Sequence, residues 1–142
     1  LEKYPYMLVT VNSKGLVSSA VGKYQIIRKT YEENAKALGV SDFSELTQDL
    51  IAIELIKNAK GIPYILKNDI KGLLEKTKVN KIWASFQGAG YGQGEHSNQK
   101  LLTWYETILK NGSTFVNENS TTVVGGGLLV VGLVLYFISS KS

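Results

Sequence analysis

The distribution of charge divides this chain into two parts. Residues 119–140 are 22 residues without a single charged side chain. As a helix they would be about 33 Å long, close to the bilayer hydrocarbon core of about 30 Å. Tyr136 and Phe137 would then lie at the membrane interface. The pattern predicts a transmembrane helix over residues 121–140, preceded by a polar linker, residues 113–120. The alternative is a buried helix or strand in a soluble protein.

Residues 1–112 have the length and mixed composition of one ordinary domain. Residues 119–142 hold only one of the 16 Lys and Arg residues, Lys141, and none of the 12 Asp and Glu residues, so the rest of the chain is mildly basic. That charge suits an anionic surface such as a cell wall, a membrane face or nucleic acid, but it equally fits ordinary solubility. The chain has no cysteine, and His96 is its single histidine. We therefore expect no disulfide, no metal site and no other cofactor.

The spacing of apolar residues within the domain predicts helices, separated by capping residues, glycines and a proline. In the second of these helices Leu46, Leu50 and Ile53 share a face with Ile56, which we expect to be buried. The strand-like alternation of residues 6–11, with a turn at 12–15, predicts a hairpin. The fold class is therefore α+β, mainly α, with a small β-hairpin. The predicted helices are residues 24–38 ended by Gly39, 44–59 capped by Ser44, a short helix beginning near Pro63, 69–85 capped by Asp69, and 97–109.

Residues 85–96, SFQGAGYGQGEH, form a segment unlike the predicted helices. Four glycines are combined there with two aromatic residues, two glutamines, a glutamate and the histidine. Aromatic faces and side-chain amides are the groups that bind sugar rings, hydroxyls and N-acetyl groups, so the loop predicts a glycan site. A phosphate cradle is the alternative, although the spacing matches neither dinucleotide-binding nor Walker loops. A second polar pair, Tyr24 and Gln25, is by itself a weaker signal because it fits an ordinary helix entry.

Several stretches, in order along the chain, are similar to one known family. Residues 82–96, IWASFQGAGYGQGEH, resemble the motif W-A-S-L-P-G-A-G-Y-G-Q-x-E-H of the phage lambda-type endolysins, which are lysozyme-like lytic transglycosylases. Phe86 and Gln87 replace the Leu-Pro of that motif, which makes the loop less rigid. The resemblance extends over about residues 5–110. The other matching stretches are residues 8–12 (LVTVN), 20–25 (AVGKYQ, against A-G-R-Y-Q), 38–44 (LGVSDFS), 48–49 (QD) and 56–57 (IK).

This resemblance implies a lysozyme-like domain, residues 1–112, that cleaves MurNAc–GlcNAc bonds of peptidoglycan. One carboxylic acid would protonate the glycosidic oxygen, and its conjugate base would then take the proton of the muramoyl 6-hydroxyl, closing a 1,6-anhydro ring. This chemistry needs no metal and no other cofactor. By the same resemblance, the residues expected to line the saccharide cleft are Tyr24, Gln25, Gln87, Tyr91, Gln93 and His96.

The catalytic glutamate of the family lies on a helix that precedes the L-V-T-x-N strand. Only seven residues precede Leu8 here, and Glu2 does not match the position of that glutamate. We therefore expect the acid-bearing helix to lie upstream of Leu1. Within the loop the candidate acid is Glu95, for which we favour a capping role at the start of the last helix, beside His96.

Together, the predicted anchor and the resemblance indicate a bacteriophage enzyme that is held in a membrane and acts in cell-wall penetration or lysis. We expect it in the virion membrane of a phage, or otherwise in the bacterial inner membrane. Its expected partners are peptidoglycan strands, lipid through residues 121–140 and, as a further candidate, other virion proteins, but no nucleic acid. The alternative is a non-catalytic structural or wall-binding membrane protein of the virion that retains the same fold.

Overall fold

The computed structural model describes residues 3–10, 12–92, 94–103 and 105–107. Within them, short strands β1 and β2 form an antiparallel pair, with Val9 opposite Ser18 and Thr10 opposite Val17. Helices follow the strands, so the predicted class, α+β and mainly α with a small hairpin, is confirmed for this part of the chain. The elements are β1 Val9–Thr10, β2 Val17–Ser18, α1 Arg28–Leu38, α2 Glu45–Asn58, α3 Ile62–Leu66, α4 Ile70–Lys76, a 3-10 helix Val79–Lys81, and α5, comprising residues 98–103 and 105–107.

One asparagine organises the hairpin turn, which lies at the predicted residues 12–15. The side-chain Oδ1 of Asn12 accepts the backbone N–H groups of Lys14 and Leu16, both at 3.0 Å. The Asn12 carbonyl accepts the N–H of Gly15 at 3.2 Å. An asparagine that bonds its own backbone two residues on is a common way to close a turn. The predicted turn is confirmed, and among the described residues of the hairpin the strands pair through Val9–Thr10 and Val17–Ser18.

The helix ends follow the capping residues that the sequence marked. Ser44 caps α2 by accepting the N–H of Thr47 at 3.3 Å, and Asp69 caps α4 by accepting the N–H of Gly72 at 2.8 Å. Gly39 ends α1 in the left-handed conformation, and Pro63 lies in the first turn of α3. These are local signals, each satisfied by residues within a few positions.

Two helices are shorter than predicted. α1 begins at Arg28 rather than near residue 24, because the backbone of Val21 and Ile26 is paired and cannot continue a helix. The helix predicted over residues 69–85 ends at Lys76 and is followed by the separate 3-10 helix Val79–Lys81. In both places the apolar spacing predicted a longer helix, but the backbone there forms other hydrogen bonds, in the Val21–Ile26 pair and in the 3-10 helix.

The buried face predicted for α2 is wrong. Leu46 is 68% exposed, and Leu50 and Ile53 are each 37% exposed. Of the predicted face only Ile56 is buried, at 3% exposure. Apolar residues lie all around this helix, so their spacing does not single out one face. The residues that are buried are Thr47, Gln48, Ile51, Ala52 and Ile56.

The core is centred on aromatic rings contributed by three distant parts of the chain. The rings of Tyr4 and Tyr31 are stacked, with centroids 4.9 Å apart and planes 15° apart. Phe43 is fully buried and packs edge-on against both, at 5.0 Å and 5.4 Å. Such edge-on and offset pairs add to the stabilisation that burial provides. The hydroxyl of Tyr4 donates to the carbonyls of Ser19 and Ile26, which attaches the N-terminal segment to the turn before α1.

The predicted membrane helix, residues 121–140, and the predicted linker, residues 113–120, lie outside the described residues. In the ranges that the structure describes, no helix is long and apolar enough to cross a bilayer.

Candidate functional site

Residues 21–26 form a tight turn that presents one of the predicted site residues. Val21 and Ile26 exchange two backbone hydrogen bonds, at 3.1 and 2.9 Å. Gly22 and Gln25 both have left-handed backbone conformations, at φ 77° and 51°. The side-chain amide of Gln25 donates to the Gly22 carbonyl at 3.0 Å, so this non-glycine residue is held by its own turn. Gln25 is exposed and available to a ligand.

Tyr24 was expected to line the saccharide cleft, but it is buried. It is only 4% exposed and belongs to the core, so its ring has no free face on which a sugar could stack. Its hydroxyl donates to Oδ1 of Asp49 at 2.6 Å. Burial, followed by this carboxylate, raises the pKa of Tyr24. Tyr24 therefore supports the turn and does not line a cleft, which corrects the expectation for this residue.

Two neighbouring residues of α2 form hydrogen bonds with the 21–26 turn. Gln48, itself 4% exposed, accepts the N–H of Lys23 at 2.8 Å and donates to the Phe43 carbonyl at 3.0 Å. Asp49 accepts the Lys23 ammonium at 3.0 Å as well as the Tyr24 hydroxyl. A buried polar side chain is stable when both its donor and its acceptor are bonded, as they are in Gln48.

Trp83 connects this turn to the glycine-rich loop. Its indole Nε1 donates to the carbonyl of Tyr24 at 2.8 Å, and the bond is buried. The Trp83 ring is 7% exposed and lies 5.6 Å from that of Phe86. The tryptophan of the W-A-S motif is therefore the residue that joins the two predicted halves of the site, 59 positions apart in the chain.

The loop adopts a conformation that glycine makes accessible. Gly88, Gly90 and Gly92 all have left-handed backbones, with φ between 73° and 77°. At Gly88 a side chain would also crowd the amide of Asn80, whose nitrogen lies 3.2 Å from the position of a Cβ atom. Glycine adopts this region without the steric penalty of other residues. The alternating glycines of the motif therefore reflect backbone geometry.

Glu95 binds the loop backbone. Its two carboxylate oxygens accept the N–H groups of Gly88 and Gly90, each at 2.8 Å. These hydrogen bonds, from Gly90 and then Gly88, lower the pKa of Glu95. The capping role that we favoured for it at the last helix is not what the structure shows. Ser97 and Gln87 perform that role, accepting the N–H groups of Lys100 at 3.2 Å and Asn98 at 2.8 Å.

The remaining predicted residues lie around the loop. Tyr91 is 49% exposed, and its hydroxyl donates to the Lys81 carbonyl at 2.8 Å. Gln87 is exposed, with its Oε1 occupied by Asn98. His96 is half-buried, and its backbone N–H donates to the Ser85 carbonyl at 2.7 Å. Burial lowers the pKa of the His96 imidazole. Gln93 lies outside the described residues.

The β-hairpin adjoins the same loop. The side-chain amide of Asn12 donates to the Gly92 carbonyl at 3.2 Å. A Cβ atom added at Gly92 would lie 4.0 Å from a methyl group of Leu16. The hairpin turn, the loop and the 21–26 turn are therefore connected, the first two by Asn12 and the last two by Trp83. The described residues of this region offer amides, hydroxyls and an exposed aromatic ring, and they include no cluster of three His, Cys, Asp or Glu that could hold a metal ion.

Sequence reasoning missed three residues that shape the site. Asp49 supports the 21–26 turn, and Asn80 and Lys81 donate to carbonyls of the loop. Asp49 was noticed only as part of the Q-D match. Lysine and asparagine at the end of a short helix are ordinary surface residues, so the sequence carried no signal that marked Asn80 and Lys81.

Comparisons with known proteins agree with this architecture. The chain is 38% identical over 103 residues to an endolysin of Escherichia phage lambda, covering 72% of this chain and 63% of that protein. It is 40% identical over 96 residues to an endolysin of Escherichia phage P2, covering 68% and 57%. Its structure resembles that of bacteriophage lambda lysozyme complexed with a chitohexasaccharide, with a TM-score of 0.68 and 37% identity over 75% of this chain and 67% of that one. The chain therefore spans about three fifths of the length of these two endolysins.

The predicted location in a virion membrane or a bacterial inner membrane is wrong. The relatives that the chain matches are endolysins. The location rested on the charge-free run of residues 119–140, which lies outside the described residues.

A family profile described as Endolysin matches residues 1–113. That range includes every residue of the candidate site, from the hairpin turn at Asn12 to the loop ending at His96. The lysozyme-like fold, the family profile and the two phage relatives are independent of the site geometry, and all lead to the same assignment. This chain belongs to the endolysin family.

Proposed function

We propose that this protein binds and cleaves the glycan strands of bacterial peptidoglycan. The observation that carries the proposal is the match to bacteriophage lambda lysozyme, whose structure was solved with a chitohexasaccharide. The family profile that matches residues 1–113 includes the 85–96 loop. Chitohexasaccharide is a chain of N-acetylated sugars, and exposed amides and aromatic faces suit such a ligand.

Within this proposal the cleft is lined by the predicted residues that are exposed or half-buried, and not by Tyr24. Gln25 lies on the 21–26 turn, Tyr91 and Gln87 on the loop, and His96 at its end. Tyr91 offers an aromatic face to a sugar ring, and its bonded hydroxyl limits the rotation of that face. We propose that the domain that carries the cleft comprises residues 1–112.

The finer proposal is that cleavage follows the lytic transglycosylase route implied by the sequence motifs. One carboxylic acid would protonate the glycosidic oxygen, and the muramoyl 6-hydroxyl would close the anhydro ring. Glu95 is poorly suited to donate that proton, because both of its oxygens accept backbone N–H groups and its pKa is lowered. The proton donor is therefore proposed to be a different carboxylic acid.

Digestion of purified peptidoglycan tests this proposal directly. If the protein is a lytic transglycosylase, mass spectrometry of the products should show muropeptides ending in 1,6-anhydro-muramic acid. Products with free reducing ends would instead indicate a hydrolase that uses water as the acceptor. Binding of chitohexaose without any cleavage would favour a non-catalytic wall-binding protein.

Replacing Tyr91 with alanine is expected to weaken chitohexaose binding. The loss of stacking area and of ring contacts should cost about 1–2 kcal/mol of binding free energy. Isothermal titration calorimetry measures the change, and Tyr91→Phe is the matched variant because it keeps the ring and removes only the bond to Lys81. Equal affinities of Tyr91→Ala and wild-type protein would remove Tyr91 from the proposed site.

A further inference from the structure

The backbone of residues 88–90 is bound from both sides by opposite charges. On one side the Lys81 ammonium donates to the carbonyls of Gly88 at 2.8 Å and Ala89 at 3.1 Å. On the other side the Glu95 carboxylate accepts the N–H groups of Gly88 and Gly90, each at 2.8 Å. The Lys81 cation thus satisfies two acceptors of this segment and the Glu95 anion two of its donors, while the N–H of Ala89 donates to the Phe86 carbonyl at 3.1 Å. We call this arrangement, formed by Lys81 and Glu95, the loop clamp.

Such a clamp addresses a specific weakness of this loop. Gly88 and Gly90 have the largest conformational freedom of any residue type, so an unrestrained segment of this kind would sample many conformations. Its polar groups are also not paired within a helix or sheet. Hydrogen bonds in which one partner is ionised are shorter and stronger than neutral ones, and four of them restrain these three residues.

The clamp connects directly to the exposed aromatic ring. Tyr91 follows Gly90 in the chain, and its hydroxyl donates to the backbone carbonyl of Lys81 at 2.8 Å. Lys81 therefore contacts the loop at three points, through its ammonium and its carbonyl. If the segment 88–90 moved, the ring of Tyr91 would move with it.

We propose that Lys81 and Glu95 are positioning residues of the glycan site, which hold residues 88–90 so that Tyr91 presents its ring to a sugar. This inference rests on the proposed function. Neither residue needs to touch the substrate. Lys81 and Glu95 act through the loop backbone, and their removal should weaken glycan binding by restoring the freedom of the loop.

The first test is a pH titration of the loop amides by nuclear magnetic resonance. The pKa of Glu95 is lowered below its ordinary value of 4.5 by the two glycine N–H bonds. The clamp is therefore complete above that ordinary value and is lost as the pH falls through the lowered pKa. The charge of Lys81 also lowers the pKa of Glu95. The pKa of the neighbouring His96 is lowered by burial and then by the charge of Lys100. Comparison with Glu95→Gln separates the titration of Glu95 from that of His96.

In the wild-type protein, the Gly88 and Gly90 amide resonances should shift in the acid range below the ordinary carboxyl pKa. This step should be absent in Glu95→Gln and preserved in Glu75→Gln, which makes the same charge change on the exposed side of α4. In the wild type, chitohexaose affinity should fall over the same pH range as the amide resonances shift. In Glu95→Gln the affinity should not change with pH over that range. A residue that merely stabilised the fold would not impose its own titration on ligand affinity.

The second test measures affinity near neutral pH. Glu95→Gln and Lys81→Met should each weaken chitohexaose binding by about tenfold, because each removes two charge-assisted bonds from the loop. Their matched controls, Glu75→Gln and Lys71→Met, carry the same changes on α4 and should bind as the wild type does. If the chain cleaves peptidoglycan, the loss in both clamp variants should appear in KM and not in kcat.

Two results would overturn this inference. One is a Glu95→Gln protein whose glycine amides follow the wild-type pH course, and the other is wild-type affinity in both clamp variants. A wild-type protein that fails to bind chitohexaose would refute the proposed function instead. In that case the titration of the Gly88 and Gly90 amides would still decide whether Glu95 holds the loop.

Discussion

Replacing Gly22 with alanine is expected to destabilise the protein by about 2–4 kcal/mol, through left-handed strain and a displaced buried side chain. Gly22 has φ +77°, and an added Cβ atom would lie 2.2 Å from Oε1 of Gln48 and 2.9 Å from the ring of Phe43. Neither neighbour can move freely, because Gln48 and Phe43 are both buried. If Gln48 is displaced, the N–H of Lys23 also loses its acceptor.

Gly39→Ala is the matched control for this substitution. Gly39 has a similar left-handed backbone, at φ +68°, but no atom lies within 4 Å of an added Cβ there. Its replacement should cost only the conformational strain, about 1 kcal/mol. The difference in unfolding free energy between the two variants, measured by urea denaturation, reports the contacts of the added methyl group with Gln48 and Phe43. If Gly22→Ala were no more destabilising than Gly39→Ala, the close packing of the turn against α2 would be incorrect.

Replacing Ile51 with alanine is expected to destabilise the protein by about 2–5 kcal/mol, the range found for truncation of buried isoleucine and leucine. Ile51 is fully buried on α2. On the same helix Leu46 is 68% exposed, so Leu46→Ala should change the unfolding free energy by about 0.5 kcal/mol or less. Because both variants introduce alanine into the same helix, the helix propensity of the new residue is the same in both.

This pair of variants discriminates between two assignments of the buried face. The structure predicts a large loss for Ile51→Ala and a small one for Leu46→Ala. The apolar spacing of the sequence favoured the opposite order, with Leu46 facing the core. Thermal or urea unfolding followed by circular dichroism measures both, and a larger loss at Leu46 would restore the interpretation from sequence.

Much of the secondary structure could be predicted because its determinants are local. Ser44 and Asp69 cap their helices through backbone groups three residues away, and Asn12 closes its turn within four residues. Gly39 ends α1 for a reason intrinsic to glycine. The motif of residues 82–96 identified the family and the loop, because residue types in a fixed order carry that information without coordinates.

The errors in the sequence analysis share a different cause. Tyr24 was expected at a sugar-binding surface, and Gln48 was not expected inside, yet both are buried. Whether a polar residue can be buried depends on a partner for its hydrogen-bonding groups, since an unpaired buried group costs free energy. The partner of Tyr24 is 25 positions away, as is the Lys23 N–H that Gln48 accepts. Apolar periodicity contains no information on such partners.

The candidate site shows the same division between local and tertiary information. Composition selected the loop as a candidate for glycan contact, and the resemblance to the endolysins added Gln25 and assigned Tyr91 to the cleft. The role of Glu95 depended on where the backbone of Gly88 and Gly90 lies, and that of Lys81 on two carbonyls seven and eight positions away. The sequence by itself therefore determined the family, the helix ends and the segments of the site. Only the tertiary structure decided which side chains face the core and which charges hold the loop. Burial depends on partners as far as 59 positions away, and the loop contacts depend on the path that the loop backbone takes between Lys81 and Glu95.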